Sequence, residues 1–127
     1  MQDKSNRPET ETLALTVSPQ QGYVLAVSSG RIDDSADSVF REHLFPLLAK
    51  AGTNVVLDLS QSPFISSRGI GNLVALVAHA NTNSSRVILA ACSPFLSIVF
   101  NRCKLENFLE TAASVEAAVQ RLRGQND

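Results

Sequence analysis

The stretch Asn54-Val55-Val56-Leu57-Asp58-Leu59-Ser60, followed through Gln61, Ser62 and Pro63 by Phe64-Ile65-Ser66-Ser67-Arg68-Gly69-Ile70-Gly71, decides the fold of this chain. Its first part is a short, nearly unbroken run of β-branched and leucine side chains, the pattern of a strand covered on both faces inside a sheet. Its second part opens a helix over residues 67–81, in which Ile70, Leu73, Val74 and Val77 recur at spacings of three and four. A buried strand feeding a helix is half of a crossover unit, and parallel strands need crossovers to connect them.

Toward the N-terminus, Leu13, Leu15 and Val17 alternate with Ala14 and Thr16, a turn follows over Pro19–Gly22, and Tyr23 to Val27 returns, which predicts a β-hairpin. Gly30-Arg31-Ile32-Asp33 ends it. Asp34 or Ser35 is then placed to cap a helix carrying Val39, Phe40, Leu44, Leu47 and Leu48 and closing at Gly52. Pro46 lacks the N–H that would bond back to Glu42, so the helix is expected to kink or break there. In the other direction, Asn81–Ser85 ends the central helix and Arg86 to Ala91 reads as a second buried strand. Ser93-Pro94 starts a helix running to about Cys103, with serine as cap and proline where its missing N–H costs nothing. Leu105 and Phe108 anchor a short return, residues 109–111 suit an edge strand, and Ser114 caps a last helix to Leu122.

The order β β α β α β α β α gives an α/β domain with a mixed sheet of four to five strands packed by about four helices. It occupies residues 11–123, between a polar N-terminal tail (1–10), expected to be flexible, and a short C-terminal tail (124–127). A length of 127 residues with 44% hydrophobic content suits one such core. Eleven basic and twelve acidic residues leave a net charge of -1, so the overall balance points to neither nucleic acid nor an anionic membrane. The apolar stretch 70–80 is too short and too interrupted to span a bilayer, which takes about 20 residues. The N-terminus lacks the basic start and apolar run of a secretory signal. Cys92 and Cys103 have no metal-ligand spacing and sit among apolar residues, so buried reduced thiols and a cytoplasmic location are expected.

Sites in open α/β sheets form at the carboxyl ends of strands, which directs attention to the loop between the central strand and its helix. Three serines, Ser62, Ser66 and Ser67, crowd there with Arg68 and two glycines. No acid, base and nucleophile set is evident: Ser-Ser-Arg-Gly-Ile-Gly is not the G-x-S-x-G elbow, and His43 and His79 have no triad context and read as ordinary exposed residues. Gly69-Ile70-Gly71 without a lysine is a weak phosphate cradle, and Gly69 instead suits a close approach of backbone or of a partner at the helix start. Asp58 is as well placed to bond the neighbouring backbone as to meet a partner. Leu76 falls off the apolar stripe and, with Asn72, is read as extending a contact face.

This stretch resembles the signature of the STAS domain of bacterial anti-sigma factor antagonists: a strand ending in Asp-Leu-Ser, a loop closing with Phe-hydrophobic-Asp-Ser-Ser-Gly-Leu-Gly, then a helix. Here these are Asp58-Leu59-Ser60 and Phe64 to Gly71, with Ser66 in place of the motif aspartate and Arg68 before the glycine. Gly30-Arg31-Ile32-Asp33 and Ser93-Pro94 resemble further family marks, and Leu105-Glu106-Asn107-Phe108 resembles a third, although the glycine before it is Lys104. The resemblance spans residues 12–123 and implies a non-enzymatic, phosphorylation-switched binding module. Its unphosphorylated form would bind an anti-sigma factor that is also a serine kinase, releasing a sigma factor. Phosphorylation at Ser67 would break that complex, and a serine phosphatase of the metal-dependent type would restore it. ATP and Mg²⁺ would belong to the kinase, so no cofactor is expected on this chain. The implied contact set is Asp33, Ser62, Ser66, Ser67, Arg68, Gly69 and Asn72. The alternative is an unphosphorylated STAS adaptor or scaffold in a signalling or transport complex, favoured if Ser66 and Arg68 abolish kinase recognition.

Overall fold

The structure, a computed structural model, describes residues 12–124. The tails expected at 1–10 and 124–127 therefore lie, Gly124 apart, outside the described residues. Strands β1 (Ala14–Pro19) and β2 (Val24–Ser29) form the antiparallel hairpin, paired from Ala14 with Ser29 to Pro19 with Val24. Strand β3 (Asn54–Gln61) lies parallel to β2, β4 (Arg86–Ala90) parallel to β3, and the short β5 (Thr111–Ala112) parallel to β4. The five strands stand in chain order across one mixed sheet.

Alternation along the inner strands divides the core into two layers. Val55, Leu57 and Leu59 of β3, with Val87 and Leu89 of β4, meet helices α1 (Ala36–His43), α2 (Phe45–Leu48), α3 (Ser67–Thr82) and α4 (Pro94–Arg102). Val56, Ile88 and Ala90 point to the other face, where α5 (Val115–Leu122) covers them through Ala118 and partly buried Val115, Val119 and Leu122. This double coverage is why β3 and β4 read as continuous apolar runs.

Pro46 breaks the first helical segment as expected: α1 ends at His43, and α2 starts afresh with the proline in its first turn. Ser35, one of the two expected caps, stands at the N-cap position, but its side chain makes no capping bond. Asp33 opens α1 instead, its carboxylate accepting from the Ser35 backbone N–H at 3.0 Å and from the Ser35 hydroxyl at 2.7 Å. Ser93 and Ser114 do cap α4 and α5, accepting from Leu96 N–H at 3.1 Å and Ala117 N–H at 3.0 Å. The edge strand sits slightly later than 109–111, because Leu109 turns into the core while the carbonyls of Glu110 and Ala112 accept from the Leu89 and Ala91 N–H groups. Arg86 holds that edge through two bonds to the Glu110 carboxylate at 2.8 and 2.6 Å, and Arg121 adds a third at 3.3 Å.

Three side chains depart from the sequence reading. Leu76 is fully buried, so it extends no contact face; α3 is wedged between the sheet and the α1–α2 pair, which widens its apolar arc beyond one stripe. His79 is half-buried, stacked on the Phe45 ring at 4.3 Å and hydrogen-bonded to the Phe45 carbonyl at 3.1 Å. Cys103 is exposed at the end of α4, whereas Cys92 is partly buried and desolvation pushes its thiol up to about 11. Among the described residues, no helix is long and apolar enough to cross a membrane.

Candidate functional site

The loop from Ser62 to Ser66 crosses the carboxyl ends of β2 and β3 and is fastened to the 30–33 turn by backbone bonds. Gly30 N–H donates to Gln61 O at 3.0 Å, Ile32 N–H to Phe64 O at 3.1 Å, and Ser66 N–H to Ile32 O at 3.0 Å, so Ile32 and Ile65 pair as a parallel bridge. Helix α3 then approaches the turn so closely that a Cβ on Gly69 would stand 1.8 Å from the Ile32 carbonyl oxygen. Only glycine fits there, so its close approach is to backbone. Asn72 completes the join by donating to the Asp33 carbonyl at 3.0 Å.

Two hydroxyl contacts hold the loop from below and from the side. Ser28 and Ser62 share a buried hydrogen bond of 2.7 Å, and the Ser93 hydroxyl donates to the Pro63 carbonyl at 2.9 Å. Ser62 is 0% exposed, so its expected place in a contact set is corrected: it supports the loop and offers no surface. Gly69 is likewise buried against the turn. Asp58 bonds its neighbouring backbone, accepting from Ser60 N–H at 2.9 Å.

The helix start distinguishes the two adjacent serines. Ser66 is the N-cap, in extended conformation, and its hydroxyl accepts from Gly69 N–H at 3.1 Å, so it keeps the capping role of a carboxylate without the charge. Ser67, the first helical residue, is exposed, and its hydroxyl makes no bond to a described residue. Arg68 is exposed beside it. A phosphate on Ser67 would meet the positive end of a 16-residue helix, a setting that favours an anion and leaves the fold intact.

His79 lies twelve positions along α3, about 18 Å along the axis from Ser67, and is occupied by Phe45. Among the described residues, no cluster of His, Cys, Asp and Glu suits a metal ion. Of the contact set read from the sequence, the structure groups Asp33, Ser66, Ser67, Arg68 and Asn72 around one helix start, with Asp33 and Asn72 half-buried in structural bonds. What the sequence reading missed is apolar: Phe64 and Phe95 are 54% and 44% exposed and meet edge to face at 5.6 Å. The available signal was an aromatic side chain flanked by Pro63 in a loop, and another directly after Ser93-Pro94.

Comparison with known proteins agrees with this architecture. The STAS domain model matches residues 15–118. A putative anti-sigma factor antagonist from Thermotoga maritima is similar in structure, with a TM-score of 0.77 at 15% identity, covering 86% of this chain and 94% of that one. The anti-sigma factor antagonist SpoIIAA in its unphosphorylated form gives 0.70 at 21% identity over 87% and 97% of the two chains. The Bacillus cell fate determinant SpoIIAA in its phosphorylated form gives 0.65 at 20% identity over 86% and 99%. With the family match over most of the chain and the five-stranded mixed sheet in place, this chain belongs to the STAS domain family.

Proposed function

We propose that this chain is a cytoplasmic anti-sigma factor antagonist, a non-enzymatic module whose Ser67 face binds an anti-sigma factor with serine-kinase activity. In this reading the unphosphorylated protein frees a sigma factor, phosphorylation of Ser67 ends binding, and a metal-dependent serine phosphatase resets it. The observation that carries the reading is the division of labour at the start of α3: Ser66 is committed to the cap, while Ser67 is exposed with its hydroxyl uncommitted among the described residues. The similar fold of SpoIIAA, known in unphosphorylated and phosphorylated forms, supports it. An exposed Cys103 thiol fits a reducing compartment.

A second reading, an unphosphorylated adaptor or scaffold, is favoured by one observation: the cap at the motif aspartate's position is Ser66, so no carboxylate flanks Ser67 on that side. Intact-mass measurement separates the two. The protein is incubated with its co-purifying anti-sigma factor and Mg-ATP. Gain of one phosphate, absent in Ser67→Ala, is the expected result. An unchanged mass beside a kinase shown to be active rules out the switch and leaves the adaptor.

A further inference from the structure

The apolar surface next to Ser67 continues onto α4. Phe64 touches Phe95, the Ser93–Pro63 bond pins the start of α4 to the loop, and Ile98, 54% exposed, follows Phe95 one helical turn later. Arg102 comes four positions after Ile98 and extends the same side of the helix. Three large apolar side chains thus stand open to solvent in one row that begins at Phe64, three positions before Ser67 in the chain.

The chain segment that carries that row is one-sided in charge. Between Asp58 and Glu106 the chain has no acidic residue at all, although acidic residues outnumber basic ones over its full length. The same interval carries Arg68, Arg86, Arg102 and Lys104. Arg86 is taken up by Glu110 at the far edge of β4, but among the described residues no carboxylate pairs with Arg68, Arg102 or Lys104. Among the described residues, the Asp33 carboxylate across the 30–33 turn is engaged by Ser35, Asp34 there is exposed, and Glu106 lines a cleft with Ser97 and Asn101 on the neighbouring side of α4.

We infer that the Phe64–Phe95–Ile98 row, flanked by Arg68 and Arg102, docks an acidic amphipathic segment of the partner protein. Apolar anchors of that segment pack on the row while its carboxylates meet the two guanidiniums. This rests on the Ser67 face being the partner face, and it supplies a physical cause for the switch. Phosphorylation adds about -1.5 to -2 charges where the partner is itself negative, so the complex is broken by repulsion as well as by bulk. A basic surface with exposed aromatics also suits single-stranded nucleic acid, which makes that the competing outcome.

The test uses the intact protein against a displayed library of random 16-residue peptides, a fluorescent single-stranded oligonucleotide, and separately the co-purifying anti-sigma factor. Enriched peptides are expected to combine acidic with large apolar residues and to weaken as salt rises. Phe95→Ala and Ile98→Ser should each weaken them at least about fivefold, and Arg68→Glu with Arg102→Glu about tenfold or more. Lys50→Glu, an exposed change of the same sign away from the row, should leave binding unchanged. These changes lie at the surface, and matching urea midpoints confirm folding. No enrichment, enrichment of neutral or basic peptides, indifference to the row variants, or tighter binding of the oligonucleotide each overturns the proposal. Failure of the anti-sigma factor to bind while acidic peptides still do overturns the functional reading alone.

Discussion

Gly69 and the Ile32 carbonyl are in van der Waals contact of a kind only glycine permits, since an added Cβ would sit 1.8 Å from that oxygen. The contact joins α3 to the turn that ends β2, and with it fixes where Ser67 is presented. Substitution Gly69→Ala therefore forces the helix and turn apart and should destabilise the protein by about 1–3 kcal/mol or more. Gly71, two positions on, faces open space. Gly71→Ala should be neutral or stabilising by up to about 1 kcal/mol, because alanine loses less backbone entropy in a helix. Urea unfolding of the two variants checks both signs, and equal effects would mean the close approach is not what constrains position 69.

Lys104 follows α4 with a φ of 59°, the left-handed conformation that glycine adopts without a steric penalty. Removing the side chain relieves that penalty and loosens the unfolded chain. The net expectation for Lys104→Gly is stabilisation of up to about 1 kcal/mol, read from the thermal midpoint. A lower midpoint would show that the lysine side chain contributes packing that its exposure conceals.

Hydrogen bonds from Arg86, opposed by partial desolvation and aided by Arg121, hold the Glu110 carboxyl below its usual range. A depressed carboxyl stabilises the fold above the unfolded value of about 4.3, and that contribution is lost as pH falls through the lower folded value. The stability difference between the native protein and Glu110→Gln should therefore be constant near neutrality and shrink below about pH 4. A difference independent of pH from neutrality to pH 2 would mean that Glu110 acts by packing rather than by charge.

The two thiols should separate in alkylation. Cys103 is exposed, while Cys92 is partly buried with its thiol pushed up to about 11, so at pH 8 little Cys92 thiolate is present. Iodoacetamide should add one group quickly, mapping to Cys103, with Cys92 following only on unfolding. Equal labelling rates in the folded state would contradict the burial of Cys92.

Strand and helix order was legible because the inner strands are covered on both faces and advertise it, and because Pro46, Ser66, Ser93 and Ser114 act through their immediate neighbours. Chain-local chemistry reads well from sequence. Apart from the start of α1, where Asp33 takes the local bonds from Ser35, and the exposed Cys103, the readings that had to be corrected depend on what lies across the fold. Leu76 is buried by the α1–α2 pair, Ser62 by a bond to Ser28 thirty-four positions away, and His79 by Phe45. Phe64 and Phe95 are neighbours only once α4 is pinned to the loop, so neither alone looked unusual. At the site, a serine directly before the helix is a residue type suited to a cap, whereas the uncommitted Ser67 hydroxyl needed the geometry.

In the proposed switch, Ser67 controls a binding surface without changing the fold beneath it. The most direct measurement of that switch is the dissociation constant for the anti-sigma factor, taken with unphosphorylated protein and with protein carrying phosphoserine at position 67, alongside the circular dichroism melt of each. At least about a hundredfold weaker binding of the phosphorylated form is expected, since like-charge juxtaposition costs several kcal/mol, with superimposable melts. Equal affinities for the two forms, or lost binding accompanied by a collapsed melt, would contradict it.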